Sequence, residues 1–303
     1  GSMSTAGAKT LMTGNPTRTS GYFYDAFHKM SKWWETYTVS CSDSTQATDE
    51  YVQQMAEKWG TDSNVYSVRV LGNFPKDDDD SIISRALVEA SIGRDIMVPI
   101  DEPVIWGLDV ARFGSDKTAL CIRKGRKVIG KIETWRNKDT MQVAGIIKAK
   151  YDKVSNYEPE RPSEIMVDSI GVGAGVVDRL REMGLPARGV NVAESASVDI
   201  LYSRLRDELW FKAREFFDGK DVAMWRDDRT GDGDLDLIAE LASAKYAYTS
   251  LGKLKVESKD EMKKRGLRSP DLADAFCLTL AYNTIGTKDG WGGKLNYPDL
   301  GLA

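Results

Sequence analysis

The stretch DEPVIWGLDVARFGSDKTALCIRKGRKVIGKIETW, from Asp101 to Trp135, decides the fold that we predict for this chain. Its first part, Val104 to Val110, has the apolar composition of a buried strand, and two more strands follow it after short turns. Asp109 lies near the end of that first strand. A carboxylate inside a core strand is costly unless a cation or a metal ion compensates its charge. We therefore interpret Asp109 as a metal ligand.

The composition argues against several kinds of functional site. The chain has 303 residues, of which 41% are apolar and 29% charged, which is typical of a water-soluble protein of one large or two ordinary domains. The single histidine, His28, argues against a histidine-based zinc site and a Ser-His-Asp triad. Three distant cysteines argue against a disulfide framework. Because the net charge is −4, contact with nucleic acid must come from a local basic patch. No apolar run is long enough to predict a membrane segment.

Three more acids stand at informative positions. Asp168 directly follows the predicted strand Glu164 to Val167, and Asp271 and Asp274 lie in the first turn of a predicted helix that runs from Asp271 to about Tyr282. The spacing of Asp271 and Asp274 places both on one face of that helix. Each acid alone has a structural explanation, as a turn former or a helix-capping group. The functional interpretation depends on the set.

The predicted order of elements is β-β-β-α-β-α, followed by a late helix that carries acids. This order resembles the ribonuclease H-like fold, in which the first and fourth strands are parallel neighbours. Asp109 and Asp168 would then converge at one edge of the sheet. Mg²⁺ prefers oxygen ligands in octahedral geometry. Two such ions about 4 Å apart can promote in-line phosphodiester cleavage with no histidine and no covalent nucleophile.

The motifs of the chain resemble those of the large terminase subunit of tailed bacteriophages. GLDVARFGSDKTAL, IMVDSIGVGAGVVDRL and SPDLADAF are similar to the three acidic motifs of the terminase nuclease domain. TGNPT at Thr13 to Thr17 resembles the coupling motif of the terminase ATPase domain, and VRVLGNFP at Val68 to Pro75 resembles the end of that domain. Together these motifs are specific, although each alone is weak.

The resemblance implies an α/β fold in three parts. Residues 1–75 would be the C-terminal remnant of the ATPase domain, with residues 1–3 a cloning scar. Residues 76–102 would be a linker with a helix, and residues 103–303 a ribonuclease H-like nuclease domain with a mixed central sheet flanked by helices. The sequence contains no GxxxxGK[ST] loop, so this chain cannot by itself cradle a nucleotide phosphate in the P-loop manner.

The resemblance also implies a function. The family is expected to cleave concatemeric viral double-stranded DNA during genome packaging, with two Mg²⁺ or Mn²⁺ ions. Asp109, Asp168 and Asp271 match the catalytic metal ligands, and Asp274 is a further candidate ligand. Pro270 stands where the family often has an acid, so the choice between Asp271 and Asp274 stays open. Implied partners are the portal protein and the small terminase subunit, and the implied location is the host cell cytoplasm.

A basic patch lies between residues 253 and 268, just before the acidic helix. Such a patch can hold DNA phosphates without reading sequence. Lys259 also matches a lysine that is frequent near the site in terminases. We predict DNA contacts for five residues of the patch: Lys259, Lys263, Lys264, Arg265 and Arg268. For any one of them, a solvated loop is the structural alternative.

Other functions share some of these features. A junction resolvase or a transposase would have a similar acid set, and the D-x-x-D helix especially resembles resolvases, but the first 100 residues fit those families poorly. The strands around Asp109 also resemble the phosphate-binding hairpin of the actin and sugar-kinase fold, although the glycines at 171–175 fit that fold poorly. A non-enzymatic module that docks DNA or the portal, with purely structural acids, is the remaining alternative.

Several local structures are predicted as well. Alternating apolar residues predict strands at Lys9–Thr13, Trp34–Val39 and Val65–Leu71, and helical spacing predicts helices over residues 48–59 and 195–217. Acids of the second helix, including Asp207 and Glu208, are expected to face solvent. Asp116 is expected to form a turn, and Gly171–Gly175 to let the backbone approach a substrate phosphate or a metal-bound water.

Overall fold

The computed structural model describes residues 8–17, 22–28, 30–75, 81–111, 116–154, 161–219 and 221–283. These residues fall into two compact units. The first unit contains the described residues up to Pro75 together with Ser250–Gly252, and the second contains the described residues from Ser81 onward apart from those three. In the part of the chain so described, no helix has the length and apolar character needed to cross a membrane.

Short helices make up the first unit. They are α1 Tyr22–Phe27, α2 Asp49–Trp59 and α3 Asn64–Arg69, with 3-10 turns at Ser31–Trp33 and Cys41–Asp43. As predicted, α2 begins after Thr48, whose hydroxyl accepts a hydrogen bond from the Tyr51 amide at 3.2 Å.

The prediction of three strands in this unit is wrong. Lys9–Thr13 and Trp34–Val39 form no regular structure, because neither has a neighbouring strand with which to pair. In the third predicted strand, residues 65–69 belong to the helix α3 instead. The Ser63 hydroxyl caps that helix by accepting a hydrogen bond from the Tyr66 amide at 3.1 Å. Val65 and Val68 are both buried at helical spacing, so the same apolar residues fit a helix.

The second unit is built on a mixed sheet. Its strands are β1 Val104–Asp109, β2 Thr118–Lys124, β3 Lys127–Val128, β4 Glu133–Trp135, β5 Pro162–Asp168 and β6 Ala187–Val190. The strand order is β3-β2-β1-β5-β6, with β4 paired to β2. Strand β1 is antiparallel to β2 and parallel to β5, and β5 is parallel to β6. Every residue of the central strand β1 is buried.

Helices cover both faces of this sheet. The helices of the unit are α4 Arg85–Ala90, α5 Thr140–Val154, α6 Gly173–Glu182, α7 Leu205–Asp218, α8 Leu235–Ser243, α9 Lys259–Lys264 and α10 Asp271–Thr279, and a 3-10 turn follows at Leu280–Asn283. Helices α5 and α6 join Trp106 and Leu108 in the main apolar cluster on one face. Helix α10 packs on β1 and β2 from the opposite face, and α7 and α8 pack on α10.

Gly107 allows α10 to approach the sheet closely. A Cβ atom at this position would lie 2.1 Å from the Ala275 carbonyl oxygen and 2.9 Å from a Thr279 methyl carbon. The first distance is far below van der Waals contact with a backbone atom that cannot move independently. Gly107 therefore sets the distance between β1 and α10, and these two elements carry three of the four predicted acids.

The chain between α6 and α10 differs in two places from the prediction. The helix predicted over residues 195–217 begins only at Leu205, because the Asp207 carboxylate accepts a hydrogen bond from the Arg204 amide at 2.9 Å and starts the helix there. A two-stranded hairpin follows, formed by β7 Tyr246–Tyr248 and β8 Leu254–Val256. The basic patch that follows it contains the helix α9, which a reciprocal capping box between Ser258 and Glu261 begins.

Candidate metal and nucleic-acid site

Two of the acids lie side by side at the carboxyl ends of β1 and β5. The parallel register pairs Leu108 with Val167, so Asp109 and Asp168 are the next residues on neighbouring strands. Asp109 is buried, whereas Asp168 is half-buried and accepts a hydrogen bond from the Ile170 amide at 3.0 Å. The sheet thus brings these two carboxylates together at one edge.

The glycine-rich turn after Asp168 has a packing role. A Cβ atom on Gly173 would lie 1.7 Å from the Asp168 carbonyl oxygen, so only glycine allows α6 to begin this close to β5. Gly171 has a φ of +62°, a conformation that favours glycine. Gly173 therefore allows close packing against the strand end, and the approach of the glycine backbone to a phosphate or a metal-bound water stays a prediction.

Helix α10 supplies the other two acids. The Asp271 Oδ2 atom accepts a hydrogen bond from the Lys117 amide at 2.7 Å. The Asp274 Oδ1 atom accepts one from the Trp210 Nε1 atom at 3.0 Å and lies 3.5 Å from the Arg206 guanidinium. Hence α10 holds Asp271 towards the end of β2 and Asp274 towards α7.

The Lys259 ammonium lies among three of the four carboxylates. Its Nζ atom is 3.4 Å from Asp109 Oδ2, 3.6 Å from Asp271 Oδ1 and 3.1 Å from Asp274 Oδ2. We predicted Lys259 as a DNA-binding residue, and the structure places it inside the acidic site. Asp109, Asp168, Asp274 and Lys259 line a cavity of about 360 Å³.

Burial controls the protonation of three of these acids. It raises the pKa of Asp109 to about 7, although Lys259 opposes the shift. Burial also raises the pKa of Asp168 and that of Asp271. A carboxyl group loses hydration when it is buried, which disfavours its charged form. A bound cation would reverse these shifts because it stabilises the carboxylate.

Asp274 and Lys259 stabilise each other as an ion pair. Burial alone would raise the pKa of Asp274, but the Arg206 and Lys259 charges outweigh it and hold that pKa below its usual value. Burial alone would lower the pKa of Lys259, but Asp274, Asp109 and Asp271 outweigh it and hold that pKa above its usual value. Lys259 is therefore a permanent cation here.

The donor set fits a hard divalent cation. It consists of carboxylate oxygens only, the ligands that Mg²⁺ and Mn²⁺ prefer. The buried Asp271 Oδ1 atom makes no hydrogen bond of normal geometry, and neither does the neighbouring Ser269 hydroxyl. The hydroxyl is nevertheless close enough to lower the pKa of Asp271, although burial has the larger, opposite effect. In the described part of the chain, the present side-chain positions bring no three Asp, Glu, His or Cys residues close enough together to hold a metal ion. The Lys259 ammonium lies among the carboxylates instead.

The remaining predicted DNA-binding residues have different surroundings. Lys263, Lys264 and Arg268 are exposed, and Lys263 lies 3.8 Å from the Asp116 carboxylate. Arg265 pairs with Glu257 and donates a hydrogen bond to the Ser243 carbonyl oxygen at 2.7 Å. The structure therefore gives Arg265 a role in holding α9. Residues 112–115 of the turn predicted before Asp116 lie outside the described residues.

Several residues of the site were not predicted. Arg206 and Trp210 hold Asp274, and their spacing of four on α7 is a signal that they share a face. The Glu240 Oε2 atom accepts hydrogen bonds from the Leu272 and Ala273 amides at 2.8 and 3.0 Å and so caps α10. Burial raises the pKa of Glu240 to about 8. Its position on α8 gives no signal in the sequence.

Two acids that we expected to face solvent are buried. The Asp207 Oδ1 atom accepts a hydrogen bond from the Val256 amide at 2.8 Å, and the Glu208 Oε2 atom accepts one from the Ser197 amide at 2.6 Å. Backbone donors thus engage both carboxylates, and the Lys212 ammonium lies 3.1 Å from the other oxygen of Glu208, which explains their burial. The prediction of a solvated face was wrong for these two residues.

The sheet order, the covering helices and the acids at the β1–β5 edge together define a ribonuclease H-like α/β domain. A protein of Enterobacteria phage P7 named "Probable terminase, large subunit" is 27% identical over 297 residues, which are 91% of this chain and 58% of that protein. The chain thus spans less than two thirds of this curated relative. No family model matches the chain.

Solved structures agree on the fold. The nuclease domain of the large terminase subunit gp2 of bacterial virus Sf6 superposes with a TM-score of 0.53 at 20% sequence identity and covers 65% of this chain and 98% of its own. A mutant of that domain with manganese and beta-thujaplicinol gives the same TM-score, identity and coverage. The predicted ribonuclease H-like fold and the resemblance to large terminase subunits are confirmed.

Proposed function

We propose that this chain is the nuclease part of a phage DNA-packaging enzyme. It would be a metal-dependent endonuclease that cleaves concatemeric viral double-stranded DNA during genome packaging. The observation that carries the proposal is the convergence of β1, β5 and α10, which sets Asp109 beside Asp168 and places Asp109, Asp271 and Asp274 around the Lys259 ammonium. The similarity to a phage large terminase subunit supports the same activity.

Asp109, Asp168 and Asp271 would hold two Mg²⁺ or Mn²⁺ ions. Such ions, when bound, activate a water and stabilise the leaving oxygen of an in-line phosphodiester cleavage. Asp109 would be the central ligand, because it is buried on β1, the strand that contacts both β5 and α10, and a bound cation would favour its charged form. Manganese is present in similar terminase nuclease domains, which supports a divalent ion here.

The contacts of α10 favour Asp271 over Asp274 as the third ligand. Asp274 is engaged by Trp210, Arg206 and Lys259, and it would lose these contacts if it turned towards a metal. The buried Asp271 Oδ1 atom makes no hydrogen bond of normal geometry, and the movement of Lys259 would release its 3.6 Å ion pair and free this oxygen for coordination. Asp274 would then hold Lys259 and keep its hydrogen bond from Trp210.

Lys259 would have two positions. Without metal its ammonium lies among the carboxylates, and with metal it would move away from Asp109 and Asp271 while staying beside Asp274 at the cavity that it lines. Its permanent charge suits it to hold a phosphate oxygen of the DNA there. The exposed Lys263, Lys264 and Arg268 would hold backbone phosphates nearby, without sequence specificity.

The rest of the chain fits a packaging machine. We propose that residues 1–75 are the end of a terminase ATPase domain and that TGNPT at Thr13 to Thr17 is the coupling motif of that domain. Residues 76–102 would link this part to the nuclease. The partners would be the portal protein and the small terminase subunit, and the protein would work in the host cell cytoplasm.

Nicking of supercoiled plasmid DNA by the purified chain tests this proposal. We expect nicking and linearisation in Mn²⁺ or Mg²⁺ and none in EDTA. Asp109→Asn should lower the rate of cleavage by at least about a hundredfold, because the variant keeps the shape of the residue but loses its charge. Asp178→Asn, on the same domain but outside the site, should cleave normally. If folded Asp109→Asn cuts like the native chain, the site is wrong and the acids are structural.

Substrate choice distinguishes the other enzymes with this fold. A junction resolvase would cut a four-way junction in preference to linear duplex of the same sequence. A packaging nuclease should cut linear and supercoiled duplex at similar rates. A chain that binds DNA but cuts neither substrate in any divalent metal would be a docking module.

A further inference from the structure

A second cavity borders the acidic site. Its volume is about 340 Å³, and Asp271 lines it, whereas the other three acids line the cavity described above. Four basic residues line the second cavity: Lys117, Arg136, Lys263 and Arg268. Two of them belong to the basic patch 253–268 of the sequence, and the other two directly flank the strands β2 and β4. We define these four residues as the basic cleft.

The sheet fixes one half of the basic cleft. The antiparallel register pairs Thr118 of β2 with Trp135 of β4, so Lys117 and Arg136 flank this pair at the same end of the two strands. The Lys117 amide donates its hydrogen bond to Asp271, which ties this end of the sheet to the acidic site. Arg136 is therefore held beside the carboxylates by strand pairing, although it is distant from them in sequence.

Helix α9 fixes part of the other half. Lys263 lies four residues after Lys259 and hence on the same face of the helix. The rise between the two residues is about 6 Å. Since each base pair of duplex rises about 3.4 Å, this spacing corresponds to one or two nucleotides. A strand whose scissile phosphate lay at the carboxylates would then have a neighbouring phosphate near Lys263.

The acids of the cavity are engaged by protein groups. Asp116 lies 3.8 Å from Lys263, Glu240 accepts the two amide hydrogen bonds that cap α10, and Asp271 belongs to the acidic site. In contrast, the exposed guanidinium groups of Arg136 and Arg268 pair with no carboxylate of the described chain. Both are available for a ligand, and their planar forks suit phosphate oxygens.

We propose that the basic cleft binds the DNA backbone one or two nucleotides from the phosphodiester that is cut. The ligand is a phosphate of the cleaved strand, and Arg136 and Arg268 make the principal contacts with it. The assignment of the cut itself rests on the function proposed above, whereas phosphate binding in the cleft does not. Arg136 is the distinctive element, because it lies far from the basic patch of the sequence and acquires its position only through the β2–β4 register.

The salt dependence of DNA binding tests this inference. The full chain is titrated with a short fluorescent duplex in EDTA over a series of salt concentrations. The double variant Arg136→Ala with Arg268→Ala should lower the slope of log K against log salt by about 2, since each lost phosphate contact removes about 0.9. The double variant Arg229→Ala with Lys153→Ala removes the same charge at exposed positions outside the cleft and should change the slope by much less. Replacing both arginines by lysine should restore the slope, because charge alone supplies this term.

The outcomes separate the cleft from the nuclease. A native slope in the folded Arg136 and Arg268 double variant overturns the basic cleft, even if plasmid is still cut. A lowered slope in a chain whose native form cuts no DNA keeps the cleft and overturns the nuclease. Where cleavage occurs, the double variant should raise KM several-fold and leave kcat near the native value, as expected for a contact made equally in the bound and transition states. An equal loss for both double variants means that only total charge matters, and it also overturns the cleft.

Discussion

The Lys259 ammonium lies 3.1 Å from the Asp274 carboxylate, at the point where a metal-binding site was predicted. The same ammonium is within 3.6 Å of Asp271 and 3.4 Å of Asp109. One cation therefore compensates three carboxylates that would otherwise repel one another in a desolvated site. The protein can keep these acids together before any divalent ion arrives.

Removing Lys259 should make stability depend on metal. In EDTA, Lys259→Met should lower the free energy of unfolding by about 1–3 kcal/mol, because buried carboxylates lose their cation while the partial exposure of Lys259 reduces the effect. Mn²⁺ should raise the melting temperature of this variant more than that of the native chain. Lys264→Met, on the exposed part of the same helix, should change neither quantity. Equal destabilisation with and without metal would show that the lysine does not compete with an ion.

Gly107 should tolerate no side chain. Gly107→Ala would place a Cβ 2.1 Å from the Ala275 carbonyl oxygen and push α10 from β1. Overpacking of this kind costs about 1–3 kcal/mol, and the displaced Asp271 and Asp274 should reduce cleavage further. Chemical denaturation measures the first effect. Gly145→Ala is a suitable control, since its exposed site in α5 has no atom within 4 Å of the new Cβ and should gain about 0.5–1 kcal/mol. A neutral Gly107→Ala would contradict the packing described here.

Trp210 should stabilise the folded chain through its hydrogen bond to Asp274 as well as through the packing of its ring. Trp210→Phe removes the donor to Asp274, and a hydrogen bond to a charged group contributes about 1.5–3 kcal/mol. Trp106 is equally buried, but its Nε1 atom has no hydrogen-bond partner in the described chain. Denaturant unfolding near neutral pH should therefore show a larger loss for Trp210→Phe than for Trp106→Phe. Equal losses would mean that packing alone explains both.

Glu240 should make stability fall as the pH rises. Its pKa is raised from 4.5 to about 8 by burial, so the folded chain binds this proton more tightly than the unfolded chain does. The resulting stabilisation is complete below about pH 4.5 and is lost as the pH rises through about 8. Glu240→Gln keeps an acceptor for the two α10 amides and should flatten this part of the unfolding profile measured in EDTA.

Glu261 provides a control of opposite sign. Hydrogen bonds from Ser258 lower its pKa, so its contribution is present at neutral pH and is lost only under acidic conditions. Glu261→Gln should therefore leave the profile between about pH 6 and 9 unchanged. A Glu240→Gln profile that declines as steeply as the native one would be incompatible with a raised pKa for Glu240.

The sequence was sufficient for the strand acids because their signal is local. An apolar run that ends in an acid predicted β1 with Asp109 and β5 with Asp168, and their parallel pairing followed from the order of elements. The Ser258-x-x-Glu261 spacing is a sequence signal for a capping box, but the high charge density of the segment favoured a loop, so α9 was not predicted. In the first unit, alternating apolar residues predicted strands where capping by Ser63 favours a helix.

The rest of the site could not be predicted because it depends on packing between distant elements. Lys259 lies among the acids only because α9 and α10 pack in one particular way. Arg206, Trp210 and Glu240 act on α10 from two other helices, and their own sequence surroundings give no indication of that contact. Charge patterning alone cannot tell an ammonium that faces solvent from one that neutralises a buried acid.

Anomalous diffraction from crystals soaked in Mn²⁺ tests the central claim most directly. We expect manganese between Asp109, Asp168 and Asp271, with the Lys259 ammonium displaced from Asp109 and Asp271 and Asp274 still hydrogen-bonded to Trp210. The same soak of Asp109→Asn crystals should show this density lost or much reduced. Native crystals that bind manganese elsewhere, with Lys259 still among the acids, would contradict the account.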